Sequence, residues 1–104
     1  MDISFATRAL RSLCEDPSAS SLQRATVEAL RARIADVRAA DSAADLLVSV
    51  VFDSSSTPGL IIKLSDACAI VCEVGHSQVP LDGQGSVAWE RVRRIKVMSV
   101  GDQL

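Results

Sequence analysis

The stretch "LRARIADVRAADSAADLLVSVVF", Leu30–Phe52, contains the change of sequence period that decides the fold. Its first half repeats apolar residues every three or four positions, which places them on one face of a helix. Its second half is a short run rich in Val and Leu, which is typical of a strand. The change falls after Leu46. Helical patterns lie before this point and strand patterns after it, and that order predicts an α+β domain.

The longest predicted helix runs from Ser20 or Ser21 to Ala40. The segment "DSAADLL" that follows it predicts one more helical turn, with Asp41 or Ser42 as its cap. The apolar stripe of the long helix is formed by Val27, Leu30, Ile34 and Val37.

The N-terminal segment predicts a short strand followed by a short helix. "DISF" at residues 2–5 alternates polar and apolar residues and indicates an edge strand. "ATRALRSLC" at 6–14 has the spacing of an amphipathic helix, for which Ser4 is a candidate N-cap. Pro17 ends this helix because proline cannot continue it.

The second half predicts strands separated by turns and by a polar loop at Gly75–Ser86, after which "VAWERV" indicates a short turn. Two N-terminal helices packed on an antiparallel sheet of three to four strands, in one domain over residues 1–104, fit this order. The predicted strands are "LLVSVVF" (46–52), "LIIKL" (60–64), "CAIVCEV" (68–74) and "RRIKVMSV" (93–100).

The composition fits an ordinary globular domain, with 48% hydrophobic residues and a formal net charge of −2. The start of the chain lacks the basic and apolar regions of a signal peptide. The longest apolar segment is far shorter than the roughly 20 residues that span a bilayer. Three cysteines without a secretory pattern favour reduced thiols, so a cytoplasmic protein without a membrane segment is expected.

Cys68 and Cys72 are four residues apart in a predicted strand. They would share a face about 13 Å apart at about 3.3 Å per residue, too far for a disulfide. The spacing matches no common zinc pattern. A core role is therefore favoured over a metal or redox site, and no metal or cofactor is expected.

His76 and the glycines at Gly83 and Gly85 belong to the polar loop. A single loop histidine without a partner at a useful spacing favours a surface role over catalysis. The two glycines are a weak signal for a phosphate loop because no lysine accompanies them.

The basic segment "RVRRIK" offers a candidate nucleic-acid contact. If it is one continuous strand, Arg91 and Arg93 face one way and Arg94 and Lys96 the other. Such charges contact phosphates in some proteins. A solvated edge strand is the plainer interpretation.

Three phrases carry a family resemblance: "MDISFATRALRSLC" at 1–14, "LRARIADVRAADSAADL" at 30–46 and "VPLDGQGSVAWERVRRIKVMSV" at 79–100. They resemble the RelE/ParE superfamily of bacterial toxins from type II toxin–antitoxin systems, and within it the HigB-like proteins. The resemblance implies two helices against a curved antiparallel sheet. It also implies ribosome-dependent mRNA cleavage, neutralised by a cognate antitoxin.

The chain departs from that family in the strand after the central turn. Ala69 stands at the position of the family's functional arginine, and Cys68 and Cys72 stand at the positions of its aromatic residues. The basic or histidine-bearing segment corresponds to Val50 and Ser54–Thr57, which contain no Lys, Arg or His.

The tail also departs from the family's Asp-Tyr-His ending. Asp102 matches, whereas Gln103 and Leu104 replace the tyrosine and the histidine. A carboxylate alone supplies no positive charge to stabilise a transition state. The resemblance therefore supports the fold and argues against ribonuclease catalysis, so the catalytic residues are unknown and activity as an enzyme is uncertain.

The first hypothesis is a protein-binding or inhibitory module on a toxin scaffold, such as an antitoxin decoy or a phage or accessory inhibitor. Apolar residues at Val50, Ala69 and Leu104 would suit a protein interface. The second is an active mRNA interferase in which His76 or Asp102 acts with the basic residues.

A third is a ParE-like protein that acts on a protein such as gyrase without RNA chemistry. An apolar edge near "LLVSVVF" also allows a dimer. The basic residues of the second hypothesis are Arg91, Arg93, Arg94 and Lys96.

Overall fold

The computed structural model describes residues 1–20, 22–46, 50–54 and 57–102. It is an α+β structure, as the order of the sequence patterns predicts. In chain order its elements are β1 (Asp2–Phe5), α1 (Arg8–Glu15), α2 (Arg24–Ala39), β2 (Val50–Asp53), β3 (Gly59–Lys63), β4 (Cys68–Val74) and β5 (Arg94–Asp102), with 3₁₀ turns at Pro17–Ala19, Ala43–Asp45 and Trp89–Arg91.

Helix α1 is capped by Thr7, not by the predicted Ser4. The Thr7 side chain accepts a hydrogen bond from the backbone N–H of Leu10 at 3.1 Å, which satisfies one of the unpaired donors of the first turn. Ser4 lies in β1, opposite Lys96 of β5. The pairing of β1 with β5 therefore delays the start of the helix.

Helix α2 begins at Arg24, later than the predicted Ser20 or Ser21. The hydroxyl of Ser20 donates to the carbonyl oxygen of Pro17 at 2.6 Å and accepts from the N–H of Leu22 at 3.2 Å. These bonds hold Ser20 in the preceding turn. The predicted apolar stripe is confirmed because all four of its residues are buried: Val27, Leu30, Ile34 and Val37.

A 3₁₀ turn follows α2 where the sequence predicts a further helical turn. Ser42 caps it through a reciprocal arrangement with Asp45. The Asp45 carboxylate accepts from the N–H groups of Asp41 and Ser42 at 3.2 and 3.3 Å. This turn directs the chain from the end of α2 toward the sheet.

The sheet contains five strands in the order β1-β5-β4-β3-β2. Strand β1 is parallel to β5, and each of the other pairs is antiparallel. A bulge in the β4–β5 pairing lies at Val71 and Cys72, where the register with β5 shifts by one residue.

The prediction of three to four antiparallel strands is therefore wrong in number, and it is wrong in direction for the β1–β5 pair. The first strand, "DISF", adds to the last strand of the chain. Parallel pairing requires a long connection, and the chain between Phe5 and Arg94 provides it. The alternation of residues within one strand predicts the strand itself but does not show which distant strand it pairs with.

Both helices pack on one face of the sheet. Leu30, Ile34 and Val37 of α2 share one core with alternate residues of β3, β4 and β5. Burying each such aliphatic side chain contributes about 1.5–3 kcal/mol. The sheet residues of this core are Leu60, Ile62, Ile70, Cys72, Ile95 and Val97.

Among the described residues, no helix is long and apolar enough to cross a membrane.

Candidate functional site

The face of the sheet opposite the helices, here called the open face, is the main candidate surface. Val51 of β2 lies opposite Ile61 of β3, and Ile61 lies opposite Val71 of β4. These three residues form an apolar row across neighbouring strands. The side chain of Val51 is 50% exposed, whereas Ile61 and Val71 are partly buried. The open face therefore presents contiguous apolar surface.

Charged residues flank the apolar row. On one side Glu73 of β4 lies opposite Lys96 of β5, so two opposite charges occupy adjacent positions. On the other side Lys63 lies opposite Ala69. An apolar centre with a polar rim is the usual arrangement of a protein-binding surface.

Residues of the predicted basic cluster do not form one surface. Arg91 belongs to a 3₁₀ turn, and its guanidinium donates to the backbone carbonyl of Leu81. Arg93 precedes β5, so these two arginines do not share a strand face as the sequence pattern suggests. Only Arg94 and Lys96 lie on the open face, two residues apart in β5.

An acidic residue also accompanies Arg94. Its Nε atom is 3.8 Å from a carboxylate oxygen of Asp2, and both side chains are well exposed. Exposed pairs of this kind contribute little to stability. Their charges nevertheless oppose each other, so the positive potential that phosphate binding would require is reduced.

His76, which the sequence predicts to be a surface residue of the loop, is partly buried and makes a structural contact. Its Nε2 accepts a hydrogen bond from the backbone N–H of Arg93 at 2.9 Å. The imidazole therefore connects the polar loop to the start of β5. No carboxylate, hydroxyl or thiol among the hydrogen bonds of the described residues orients His76 as a general base.

Backbone N–H groups of the glycine-containing loop donate hydrogen bonds to a carboxylate of the same loop. Asp82 Oδ1 accepts from the backbone N–H groups of Gln84 and Ser86 at 2.8 and 3.1 Å. These amides are therefore satisfied within the loop, which argues against the phosphate-loop interpretation of Gly83 and Gly85.

The residues that the sequence resemblance aligns with catalytic positions do not all share a surface. Val50 lies on the helix-facing side of β2, opposite Ile62, whereas Ala69 lies on the open-face side of β4 and is 2% exposed. Val50 and Ala69 therefore lie on opposite faces of the sheet and do not contribute to one surface. Asp102 ends β5, and Gln103 and Leu104 lie outside the described residues.

All three cysteines are buried, and none forms a disulfide. Burial raises the pKa of Cys72 to about 12, and the nearby Cys14 thiol adds to this effect. Burial also raises the pKa of Cys14 to about 11, against the opposing effect of Arg38 and with a further rise from Glu15. A raised pKa keeps these thiols protonated and unreactive at neutral pH. The core interpretation of Cys68 and Cys72 agrees with their burial.

Over the part of the chain that the structure describes, no group of three or more His, Cys, Asp or Glu side chains is placed to hold a metal ion.

A second concave feature, here called the groove, lies on the helix side of the sheet. It has a volume of about 430 Å³. The end of α2, the turn after it and strands β2 and β3 enclose it, and the sequence patterns gave no sign of it. Apolar Val37, Leu46, Val50 and Ile62 line it together with charged Arg33, Asp36, Asp41 and Asp45.

Comparison of the chain with protein-family models, with curated proteins and with solved structures finds no match.

Proposed function

We propose that this chain is a protein-binding or inhibitory module on a RelE/HigB-like scaffold whose ribonuclease residues are lost. The observation that carries the proposal is the open face, where an apolar row occupies the centre and the basic residues do not converge. The sequence resemblance supplies the scaffold and the class of partner, which is an antitoxin or another target of such a toxin.

The chemistry of the open face supports this function. Val51 and Ile61 offer apolar contacts, and Lys63 and Glu73 provide charges of both signs beside them. Apolar area at the centre of an interface supplies most of the binding energy. Charges at the rim supply orientation and selectivity. An RNA-cleaving surface would instead require several cations around the reacting phosphate.

A decoy assay in bacteria tests the proposal. The cells carry an active HigB-like toxin with its antitoxin, and this chain is then expressed. If it binds the antitoxin, the toxin is released and growth slows. Val51→Glu places a charge at the most exposed residue of the apolar row, its end on β2, and should abolish the effect. Asp66→Asn, an exposed change in the β3–β4 turn, should leave it intact.

The same experiment distinguishes the ribonuclease alternative. Growth arrest by this chain in cells that carry no toxin–antitoxin pair, with ribosome-dependent mRNA cleavage, would contradict the proposal. Arg94 and Lys96 are the residues for that alternative, since both lie on the open face. Loss of the arrest in the variant Arg94→Ala/Lys96→Ala would assign cleavage to them.

A further inference from the structure

We propose that the groove binds a small organic amine, a ligand with an apolar chain and one cationic ammonium group. The groove lies on the helix side of the sheet, away from the open face. Neither proposal therefore depends on the other.

The floor of the groove is apolar. Val37 of α2 and Ile62 of β3 are each 1% exposed, and Leu46 and Val50 complete the surface. A volume of about 430 Å³ lies within the range of clefts that bind small molecules, roughly 300–1,000 Å³. An alkyl or aryl chain placed there would gain about 25 cal/mol for each Å² of apolar surface removed from water.

The rim of the groove is negatively charged. It carries one cation, Arg33, and three carboxylates, Asp36, Asp41 and Asp45, so its formal charge is +1 − 3 = −2. Arg33 is already engaged, because its Nη2 lies 3.0 Å from Asp36 Oδ2. The remaining two carboxylates have no cationic partner among the described residues. Asp41 and Asp45 therefore carry the unpaired negative charge of the rim. The N-terminal ammonium of Met1, which donates to the carbonyl oxygen of Ala40 beside the groove, offsets part of this charge without forming an ion pair with either carboxylate.

Asp45 is held in a fixed position. Its carboxylate accepts from the N–H groups of Asp41 and Ser42 at 3.2 and 3.3 Å, and Ser42 is buried. These bonds orient the carboxylate but leave its charge without a cation. A preorganised carboxylate beside an apolar floor attracts an ammonium group without losing side-chain entropy on binding.

Arg33 explains why an anion is not the expected ligand. Its Nε is buried and has no hydrogen-bond partner among the described residues, and its side chain is 24% exposed. The guanidinium is fixed by the ion pair with Asp36 and by packing. An anionic ligand would have to displace Asp36 and would meet two further carboxylates.

NMR titration of the full chain with hexylammonium, hexanol and hexanoate tests the proposal. The three probes share one chain length and differ in the charge of the head group. The backbone amide signals of Ala39 and Ala40, which line the groove, are expected to shift saturably with hexylammonium, more weakly with hexanol and least with hexanoate. Added salt should weaken the binding of hexylammonium, because its charge faces solvent-exposed carboxylates.

Two substitutions at Asp41 separate charge from fold, since Asp41 is exposed and its side chain belongs to no capping bond. Asp41→Asn should weaken hexylammonium binding about two- to fivefold, the usual effect of one solvent-facing charge pair. Asp41→Lys should weaken hexylammonium binding further, and it should bind hexanoate more tightly than the wild type does. Asp66→Asn, outside the groove, should leave all three affinities unchanged.

The absence of saturable shifts at Ala39 and Ala40 would overturn the proposal. Equal binding of hexanol and hexylammonium, or an affinity for hexylammonium that Asp41→Asn does not change, would also overturn it. The NMR spectrum of each variant should show the signal dispersion of a folded protein, so that a loss of binding is not attributed to unfolding.

Discussion

The two faces of the sheet are built from the same strands but differ in how far their apolar residues are buried. Ile62 and its neighbour Ile61 are chemically identical, yet Ile62 is 1% exposed beneath the helices and Ile61 lies partly buried in the apolar row. The helices cover the core on the helix-facing side, whereas the apolar row of the open face has no covering helix or strand among the described residues. The first face supplies the core that stabilises the fold, and the second is the face that we propose for recognition.

The largest expected effect is on the helix-facing side. Ile62→Ala removes a buried side chain and leaves a cavity, so it should lower the free energy of unfolding by about 2–5 kcal/mol. Ile61→Ala, the matched change on the open face, should lower it by about 1 kcal/mol or less. Urea denaturation of both variants measures the difference. Equal losses would mean that the open face is covered like the core.

A smaller but still large effect is expected where β3 meets β4. A Cβ atom at Gly59 would lie only 2.2 Å from the backbone carbonyl oxygen of Cys72. Gly59→Ala must therefore shift the strand pairing and should cost about 1–3 kcal/mol or more.

Gly83→Ala is the control for this change, since no atom lies within 4 Å of a Cβ atom there. Thermal unfolding of both variants compares them. A Gly59→Ala protein as stable as the Gly83→Ala protein would contradict the close approach of β3 to β4.

Alkaline pH should act on the helix-facing side through the thiols. Burial raises the pKa of Cys72 from 9.0 to about 12, so the folded state holds a proton that the unfolded state releases above pH 9. The stabilisation is complete below about pH 9 and is lost as the pH rises toward 12. Each such thiol contributes a slope of about 1.4 kcal/mol per pH unit in that window.

The variant Cys72→Ala checks this pH dependence. Its absolute stability falls because a buried side chain is shortened, but its loss of stability per pH unit between pH 9 and pH 11 should be shallower than in the wild type. Urea denaturation at several pH values measures both slopes. Identical slopes would show that Cys72 is not protected from ionisation.

The smallest expected effect concerns the start of β5. His76→Ala removes the acceptor for the N–H of Arg93 and should cost about 0.5–1.5 kcal/mol, the net value of one hydrogen bond. Amide hydrogen exchange at Arg93 should accelerate. Unchanged exchange at Arg93 in the variant would contradict the structural role given to His76.

The sequence patterns predict local features of this fold well. The predicted stripe of α2 is confirmed, since each of its apolar positions is buried, and it is predictable because a helix repeats within a few residues. Four of the strands overlap the predicted Val- and Ile-rich runs, because strand propensity is also a property of a few neighbouring residues. The errors at Ser4 and Ser20 arose because side-chain bonds and strand pairing moved the helix starts.

The candidate surfaces were less predictable, because each depends on pairing between distant segments. The apolar row joins Val51, Ile61 and Val71 only through the register of three strands. The groove joins the end of α2 to β3 in the same way. The four basic residues, conversely, are close in sequence but are separated by the end of the 3₁₀ turn before β5.

Ribosome-dependent mRNA cleavage by the purified protein tests the central claim most directly. The claim is that the open face binds protein and does not cleave RNA. The wild type and the variant Arg94→Ala/Lys96→Ala are each incubated with translating ribosomes, and the mRNA is mapped for cuts. We predict no cleavage by either protein above a control without protein. Cleavage by the wild type that the double variant abolishes would contradict the account.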